Sequence, residues 1–458
     1  MEAGSTPLTG KQGESHLAIQ EDRSFSSHSF LLLLVAFLGI FLYGLLAALP
    51  GAVLPTLERN QYLPTDTQVG TFLFINAVGA VLAYLISGPL IDKVGKKLTL
   101  IAGTVVVIAS MVGLALTVTN VAAAEALLLI FACSLLLGLG ANAIVSAGHA
   151  LVADVAASWR NAALNLLDVF FGLGLMTLPL FVQALQKRGG LGFVFWVLAV
   201  AALILVAIMV VLKFPAPAHP ESFPIGEAKD LLKNPSFWLL AIALFMYVGA
   251  EVSVGKWVVS FMERDASLLA HSGPLNTQLP VVSHASPAAL SRFFEQDPTG
   301  IAIATYALRT LSFFAAALLA GRIVSSLLLG VLKVNSLRLL VIGSAITALG
   351  LGLGFTATSP DTVRWALVLA GFGMGPIFPT SVGLASVIVP RIAGTAMSLA
   401  MGIGFAGLLL IPPAVGYVSV WVGGEAGNVR TGLLVVLSAS IIMLLLHVVL
   451  SLRERRSS

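Results

Sequence analysis

Four charged side chains lie inside long apolar runs of this sequence, where a charge is costly. They are Asp168, Glu251, Lys256 and Arg309. A charge in the hydrocarbon core of a bilayer costs several kcal/mol unless it is paired or reaches water. Charges that are kept there commonly bind an ion, carry a proton or contact a polar substrate. We therefore take these four residues as the first candidates for chemistry.

Asp168 is the stronger candidate for ion coupling. It lies roughly 10 Å into its apolar run at about 1.5 Å per residue, and its own helix offers no cationic partner. Such a carboxylate can carry a proton, or it can coordinate sodium together with Asn142 and Asn165. A structural alternative is a hydrogen bond to Asn165, about one helical turn away. Glu251 is the second coupling candidate.

Glu251, Lys256 and Arg309 fall on two consecutive apolar runs. Because these runs cross the membrane in opposite directions, Arg309 comes at a height between Glu251 and Lys256. We expect an ion pair between Glu251 and Arg309. The pair either fixes the packing of two helices or takes part in function. In the second case Arg309 or Lys256 binds an anionic group of a substrate, or Glu251 exchanges its cationic partner for a coupling ion.

Uncharged polar and aromatic side chains in the apolar runs offer the groups that bind a sugar. Amides form paired hydrogen bonds with hydroxyl groups, and an aromatic ring packs against the flat face of a sugar. The alternative for each residue is that the amide bridges two helices or that the ring marks the membrane interface. The candidates are Asn76, Asn142, Asn165, Gln183, Tyr247 and Trp257.

The composition places the chain in a lipid bilayer. Of its 458 residues, 58% are hydrophobic and 10% are charged, whereas about 25% are charged in a typical soluble domain. The net charge of +4 is explained by basic loops on one side of the membrane, so no nucleic-acid partner is predicted. Cys133 is the single cysteine and forms no intrachain disulfide.

The sequence contains no metal-ligand spacing, no phosphate-binding loop and no catalytic cluster on any loop. We therefore predict neither an enzyme nor an ATP-driven pump, and no cofactor other than sodium or a proton as coupling ion. The expected partners are a small-molecule solute and the lipid bilayer. We expect a monomeric, multi-pass protein of the plasma membrane.

Twelve apolar segments are long enough to cross about 30 Å of hydrocarbon. An even number puts both termini on one side, and the flanking lysines and arginines indicate that this side is the cytoplasm. Lys187 and Arg188 are exceptions that fall on the outer side. The predicted spans are residues 30–57, 67–91, 98–118, 122–151, 161–185, 191–212, 237–262, 301–323, 339–356, 363–389, 392–418 and 431–452.

The predicted fold is therefore an all-α membrane protein with twelve transmembrane helices in two pseudo-symmetric six-helix bundles. Glycine pairs at matching positions of the fourth and tenth spans, and again of the fifth and eleventh, support this internal repeat. The long outer loop contains four prolines and is either a lid or a mobile excursion. The predicted parts are a tail at 1–28, bundles at 29–213 and 235–452, a linker at 214–234, an outer loop at 263–300 and a tail at 453–458.

A short basic turn after the second span carries the most specific motif. Gly88, Asp92, Gly95, Lys96 and Lys97 fit the pattern G-x-x-x-D-x-x-G-[RK]-[RK], and the chain thereby resembles the major facilitator superfamily of transporters. The resemblance implies a carrier whose two halves rock around a site at the midplane. It also implies that Asp92 and the two lysines latch the cytoplasmic side when the carrier faces outward.

Three further segments narrow the resemblance. Residues 245–251 with Trp257, residues 164–174 and residues 376–380 are similar to the fucose/glucose/galactose-type sugar symporters and their sodium-glucose relatives. This similarity implies uptake of a monosaccharide such as glucose or galactose with sodium or protons. Lys256 and Arg309 occupy positions that are usually neutral in such carriers. They leave two alternatives, which are a carrier of organic anions such as sugar acids and a receptor that binds ligand without transport.

Overall fold

The structure is a computed structural model that describes residues 27–156, 160–214, 233–270, 287–388, 393–424 and 427–457. Within these ranges the regular secondary structure is helical throughout. The first half contains α1 (Ser27–Arg59), α2 (Asp66–Asn120), α3 (Leu127–Val155) and α4 (Arg160–Val211). The second half contains α5 (Pro235–Arg264), α6 (Ala266–Ala270), α7 (Pro287–Gln296), α8 (Pro298–Gly330), α9 (Ser336–Thr356), α10 (Pro360–Met374), α11 (Ile377–Ile388), α12 (Ala393–Ala406), α13 (Ile411–Gly423) and α14 (Val429–Ser457).

Eleven helices in the described part of the chain are long and apolar enough to cross a membrane. The longest, Leu166–Val211, has 46 residues, which corresponds to about 69 Å of helix, or twice the hydrocarbon thickness. It is interrupted at Gly189 and Gly190, where the φ of Gly190 is +71°. Each side of this break is long enough for one crossing. The predicted all-helical membrane fold is confirmed, while the total of twelve spans and the side of the termini stay predictions.

Capping residues fix where the two charged helices of the second half begin. The Asn234 side chain accepts hydrogen bonds from the amides of Ser236 and Phe237 at the start of α5. Asp297 accepts two equivalent bonds at the start of α8. In both helices a proline follows the cap, because the first helical position needs no N–H group. The two starts set the register of the charged residues that follow.

Close-packed glycines show that the two halves repeat one another. A Cβ atom at Gly138 of α3 would lie 1.9 Å from the carbonyl oxygen of Asn76 on α2. A Cβ atom at Gly371 of α10 would lie 2.6 Å from the carbonyl oxygen of Phe314 on α8. The fourth and second spans thus meet in the same way as the tenth and eighth.

The halves contact each other along α1 with α5, along α4 with α8, and along α2 with α13, where Thr71 Oγ1 lies 3.1 Å from the Tyr417 hydroxyl. At the first crossing a Cβ atom on Gly51 would lie 1.9 Å from the carbonyl oxygen of Gly255, so the two backbones touch. At the second crossing the Ser312 hydroxyl donates to the Met176 carbonyl at 3.1 Å. The second contact lies at the level of the central cavity, since the neighbouring Leu175 and Leu311 line it.

The predicted end of the eighth span is wrong. The prediction places this end at residue 323, next to Arg322, whereas α8 continues to Gly330. The prediction took a charge as a sign of the membrane boundary, but Arg322 is largely buried and pairs with an acid on α5. A charge that is neutralised inside the bundle does not mark the end of a span.

The tenth and eleventh predicted spans are each broken within the membrane. The tenth is divided into α10 and α11 at Gly375 and Pro376. The eleventh is divided into α12 and α13, with a short 3-10 turn at Gly407–Leu409 between them. Proline removes a backbone donor and crowds the preceding turn, which accounts for breaks near Pro376 and Pro412.

The predicted outer loop at 263–300 is more ordered than expected, because it contains α6 and α7. Asp265 joins the start of this loop to Arg430 of α14 at 2.7 Å. Residues 271–286 of the loop lie outside the described residues. So do the tail at 1–26 and most of the predicted linker, residues 215–232.

Candidate solute site between the two halves

A cavity lies between the two halves at the middle of the bundle. Its first-half lining comes from α1, α2, α3 and α4, and its second-half lining from α5, α8, the 3-10 turn and α13. The polar and aromatic side chains that line it are Tyr43, Asn76, Asn142, Phe171, Glu251, Lys256 and Phe314. Four of these, Asn76, Asn142, Glu251 and Lys256, are predicted site residues that the fold brings together.

The first-half wall combines amides with an aromatic surface. Asn76 Nδ2 donates to the Ser134 carbonyl at 3.0 Å, and Asn142 Nδ2 donates to the Gly138 carbonyl at 2.8 Å. The Tyr43 hydroxyl faces Asn142 Oδ1 at 3.5 Å, and its ring stacks on Phe171 at 5.3 Å between centroids. The amide donors are thus partly used by the helices, and the Asn142 oxygen accepts a long hydrogen bond from the Tyr43 hydroxyl, on a wall with two stacked rings.

Lys256 enters the cavity from the second half. Its side chain is buried, and Nζ donates to the Ala47 carbonyl of α1 at 3.3 Å. Among the described residues no carboxylate lies within 4.0 Å of this ammonium group, since the ion pairs found there do not include it. A buried cation with one neutral partner is an incompletely satisfied group that a ligand can complete.

The expected ion pair between Glu251 and Arg309 is wrong. Glu251 Oε1 instead lies 3.7 Å from Arg322 Nη2, and Arg309 is exposed on the other side of α8. Positions 309 and 322 are thirteen residues apart, which rotates them about 140° around an α-helix. Only one of the two can face α5, and the packing places Arg322 there.

The pair of Glu251 with Arg322 is loose. Its 3.7 Å separation exceeds a hydrogen-bond distance, and within the described ranges the buried Arg322 Nε and Tyr247 hydroxyl have no hydrogen-bond partner. The Arg322 guanidinium also lies over the ring of Phe171, 5.9 Å from its centroid. The side chains of Arg322 and Tyr247 therefore retain hydrogen-bonding groups that no described neighbour uses.

Asp168 lies near the same charges, towards the end of the bundle at which α4 begins. Its carboxylate is 3.9 Å from His149 Nε2, and both side chains are about two-fifths exposed at 43% and 40%. It is also close enough to Glu251 and Arg322 to interact with them electrostatically. The hydrogen bond expected between Asp168 and Asn165 stays a prediction, because the Asn165 side chain lies outside the described residues.

Three predicted binding residues lie outside the cavity lining. Trp257 is buried in the second half, where Nε1 donates to the Pro412 carbonyl at 2.9 Å. Tyr247 is buried beside Phe378, with ring centroids 6.2 Å apart. Gln183 lies nearer the outer end, where Nε2 donates to the Ile301 carbonyl of α8 at 3.1 Å. Gln183 thus matches its bridging alternative, whereas Trp257 is fully buried and does not mark a membrane interface.

The predicted latch residues are partly described. Gly95 has the positive φ of 88° that its turn requires. Lys96 pairs with Asp154 of α3, and Lys97 Nζ donates to the carbonyls of Val210 and Leu212. These contacts stay within the first half in this conformation. Contacts of Gly88 and of the Asp92 side chain lie outside what the structure describes, so the latch remains a prediction.

Ion pairs join the halves at their outer ends. Arg59 of α1 pairs with Glu263 of α5. Arg264 of α5 pairs with Asp66 of α2 and lies 3.5 Å from Glu58 of α1. Asp66 also accepts a hydrogen bond from Ser419 of α13. We call Glu58, Arg59, Asp66, Glu263 and Arg264 the outer ion-pair cluster.

Sequence reasoning missed Tyr43, Phe171 and Arg322 as parts of the site. Arg322 was taken as a cytoplasmic topology signal, although the apolar residues that follow it could have shown that α8 continues. Tyr43 and Phe171 resemble the other aromatic residues of apolar helices, so their positions alone give no signal. Their stacked contact becomes visible only when the structure shows that α1 packs against α4.

A family model described as Major Facilitator Superfamily matches residues 36–275, which is more than half of the chain. The chain belongs to the major facilitator superfamily. Its members are membrane transporters, and the described spans identify a multi-pass integral membrane protein of this class. The resemblance that the Gly88 to Lys97 motif indicates is therefore confirmed at the level of the superfamily.

Curated relatives are distant. Bypass of stop codon protein 6 of Saccharomyces cerevisiae is 23% identical over 405 residues, which cover 81% of this chain and 74% of that protein. Protein TsgA of Salmonella arizonae is 26% identical over 255 residues, or 53% of this chain. The aligned region spans only 60% of the length of TsgA.

Solved structures share the fold over nearly the whole chain. A point mutant of the nucleoside transporter NupG superposes with a TM-score of 0.71 at 14% identity, covering 93% of this chain and 100% of NupG. A point mutant of the E. coli fucose:proton symporter FucP superposes with a TM-score of 0.58 at 15% identity, covering 92% and 99%. At these identities the likeness shows the fold.

Proposed function

We propose that this protein is a secondary active carrier of the plasma membrane that moves a monosaccharide-sized solute, such as glucose or galactose, by alternating access. A sodium or proton gradient supplies the energy. The observation that carries the proposal is the cavity between the halves, where two amides and a stacked aromatic pair face Glu251 and Lys256. Hydroxyl groups bind amide oxygens, and a sugar ring packs on an aromatic face.

The coupling site that we propose consists of Asp168 and Glu251. Glu251 lies 3.7 Å from Arg322 and Asp168 lies 3.9 Å from His149, so neutralising either acid by a proton or by sodium weakens its attraction to that neighbour. Asp168 is partly exposed and Glu251 is buried at the cavity. Asp168 is therefore the acid that exchanges an ion with the cytoplasm, and Glu251 is the one that senses solute.

The proposed cycle alternates between two closures. In the present conformation the outer ion-pair cluster and the contact of Gly51 with Gly255 hold the outer ends together. When the carrier turns outward these contacts must separate, and the Asp92, Lys96 and Lys97 latch closes the cytoplasmic side. Substituting Asp92 by Asn should then lower the transport rate more than the solute affinity; a loss of affinity alone would contradict the latch.

A carrier of sugar acids is the second candidate, and Lys256 favours it. This buried ammonium has no carboxylate partner among the described residues, and a substrate carboxylate would complete it. Arg309, the other cation that the sequence offers for this role, is exposed away from the cavity. The choice between the two substrate classes therefore depends on Lys256 alone.

Thermal stabilisation of the purified protein tests the proposal. The panel contains D-glucose, D-galactose and L-fucose with D-glucuronate and D-galacturonate, each in sodium or potassium at two pH values. A bound ligand raises the melting temperature by mass action. Shifts with neutral sugars that sodium or low pH enhances support the proposal, and shifts with the acids alone support the second candidate.

Transport in liposomes separates a carrier from a receptor that does not transport. Asn142→Ala should lower uptake of the stabilising sugar about tenfold or more, since it removes an amide from the cavity wall. Ser146→Ala is the matched control, because Ser146 lies one turn further along α3 and bonds only to the Asn142 carbonyl. Ligand binding without uptake by the wild-type protein would favour the receptor.

A further inference from the structure

A second cavity lies between the halves at their outer end. It is lined by the end of α1, by α4, by the end of α5 and by α7 and α8. The contact of Gly51 with Gly255 separates it from the central cavity. On α1, Ala52 lines the outer cavity and Ala47 lines the central one. On α8, Leu308 lines the outer cavity and Leu311 lines the central one. The two cavities are therefore successive compartments of one interface.

The outer cavity, which we call the vestibule, is lined by amides and a hydroxyl group. Gln186 Nε2 donates to the Thr56 hydroxyl at 3.3 Å, and this hydroxyl also accepts from Arg59 at 3.0 Å. Gln183 bonds to α8 at the same level. Amide and hydroxyl groups on facing helices are the chemistry that recognises a polyhydroxylated solute.

Several polar groups of the vestibule have hydrogen-bonding capacity to spare. The buried Arg59 Nε has no hydrogen-bond partner. In the described part of the chain the Gln186 amide oxygen accepts no hydrogen bond, and Lys187 at the rim forms no hydrogen bond or ion pair. A solute that binds these groups would account for a lysine at this place.

Helix α7 covers one side of the vestibule. Phe294 is buried there, and the Arg59 guanidinium lies 4.8 Å from the centroid of its ring. Glu295 and Gln296 of the same helix also line the cavity. The outer loop thus supplies a wall of the compartment, and α7 belongs to its structure.

We propose that the vestibule is a second, external binding site for a monosaccharide-sized polyhydroxylated solute, filled before the crossing of Gly51 with Gly255 opens. This inference rests on the proposed function, since it assigns the same class of solute to both compartments. The solute would bind Gln186 and Lys187 while the outer ion-pair cluster is still closed. Opening of α1 from α5 would then admit it to the central cavity.

Saturation binding of radiolabelled D-galactose and D-galacturonate to the purified protein tests the inference. We expect two binding sites per chain in the wild-type protein. Gln186→Ala should weaken the external site about tenfold and leave the central site within about twofold. Lys187→Ala, at an exposed position that does not endanger folding, should also weaken it. Arg188→Ala is the control, because this neighbour does not line the vestibule.

The outcomes separate this inference from the proposed function. Both the vestibular site and the proposed function would be supported by two binding sites, one of which is weakened by Gln186→Ala and the other by Asn142→Ala. A single site that Asn142→Ala removes and Gln186→Ala leaves intact would overturn the vestibular site and keep the carrier. Equal effects of Lys187→Ala and Arg188→Ala would overturn the vestibular site as well. Binding of neither probe at millimolar concentration would overturn both proposals.

Discussion

Two groups of charges lie in the interface between the halves, and they differ in how well they are paired. In the outer ion-pair cluster Arg59 and Arg264 each contact an acid of the opposite half, and Asp66 accepts a further bond from Ser419. In the inner group Glu251 lies 3.7 Å from Arg322, and Asp168 lies 3.9 Å from His149.

This difference indicates different roles for the two groups. Well-paired charges with additional hydrogen bonds hold one geometry, because separating them leaves a buried charge unpaired. Loosely paired charges can exchange partners at small cost. The outer cluster is therefore suited to keeping the carrier closed to the outside, and the inner group to sensing an ion. The predictions below test this division, beginning with the largest expected effect.

Neutralising an inner acid should abolish accumulation. In Asp168→Asn and in Glu251→Gln the carrier can no longer exchange the coupling ion, so the ratio of internal to external solute should fall to about one. Exchange of labelled for unlabelled solute should survive in Asp168→Asn, since Asp168 does not line the cavity. Uptake and counterflow in liposomes with an imposed gradient measure both quantities.

Glu125→Gln provides the control for these variants, because Glu125 is exposed between α2 and α3. It should accumulate solute like the wild-type protein. Full accumulation by both inner variants would remove the coupling role of this group and leave the Glu251 and Arg322 pair as a packing contact.

A methyl group at the crossing of α1 and α5 should prevent closure of the outer end. In Gly51→Ala the new Cβ would lie 1.9 Å from the Gly255 carbonyl oxygen, and overpacking of this kind costs about 1–3 kcal/mol. The outer-closed population should fall about tenfold to hundredfold. Distance measurements between spin labels at the outer ends of the halves would show it. Gly255→Ala, whose Cβ has no atom within 4 Å, should stay closed, and equal behaviour of the two variants would contradict the prediction.

Weakening the outer cluster should open the outer end to a smaller extent. Arg264→Gln removes the cation that Glu58 and Asp66 share, and the two acids then repel each other. We expect a cysteine introduced at Ala47, on the wall of the central cavity, to react about tenfold faster with a membrane-impermeant maleimide added from the outer side. Cys133 is replaced by serine in both proteins. An unchanged rate would show that glycine packing alone keeps the outer end closed.

The smallest effect concerns the pH dependence of stability at the start of the outer loop. Partial burial opposes the charge of Asp265, but hydrogen bonds from Arg430 and Ser267 outweigh it and lower the pKa of this carboxyl. A lowered folded-state pKa contributes stability above the ordinary value of about 3.9, and this stability is lost as the pH falls through the folded-state pKa. At pH 7 the free energy of unfolding of the wild-type protein should exceed that of Asp265→Asn by about 1 kcal/mol. The difference in melting temperature should shrink towards pH 3, and a constant difference would contradict this.

Sequence reasoning located half of the site. Asn76, Asn142, Glu251 and Lys256 could be found because polar groups are rare in apolar spans and each rare one needs a reason. Trp257 satisfied the same criterion, yet it packs within one half. The type of residue and its depth are read from the chain, whereas the direction in which it points depends on how its helix is rotated.

The sequence by itself determined that the chain lives in a bilayer, that it is helical and that it repeats itself. Composition, span length and glycine positions are properties of the chain alone. Only the tertiary structure decided that Glu251 meets Arg322 and not Arg309, and that Gly51 meets Gly255 between two cavities. These facts depend on rotations and crossings of helices, which arise from the packing of many side chains at once.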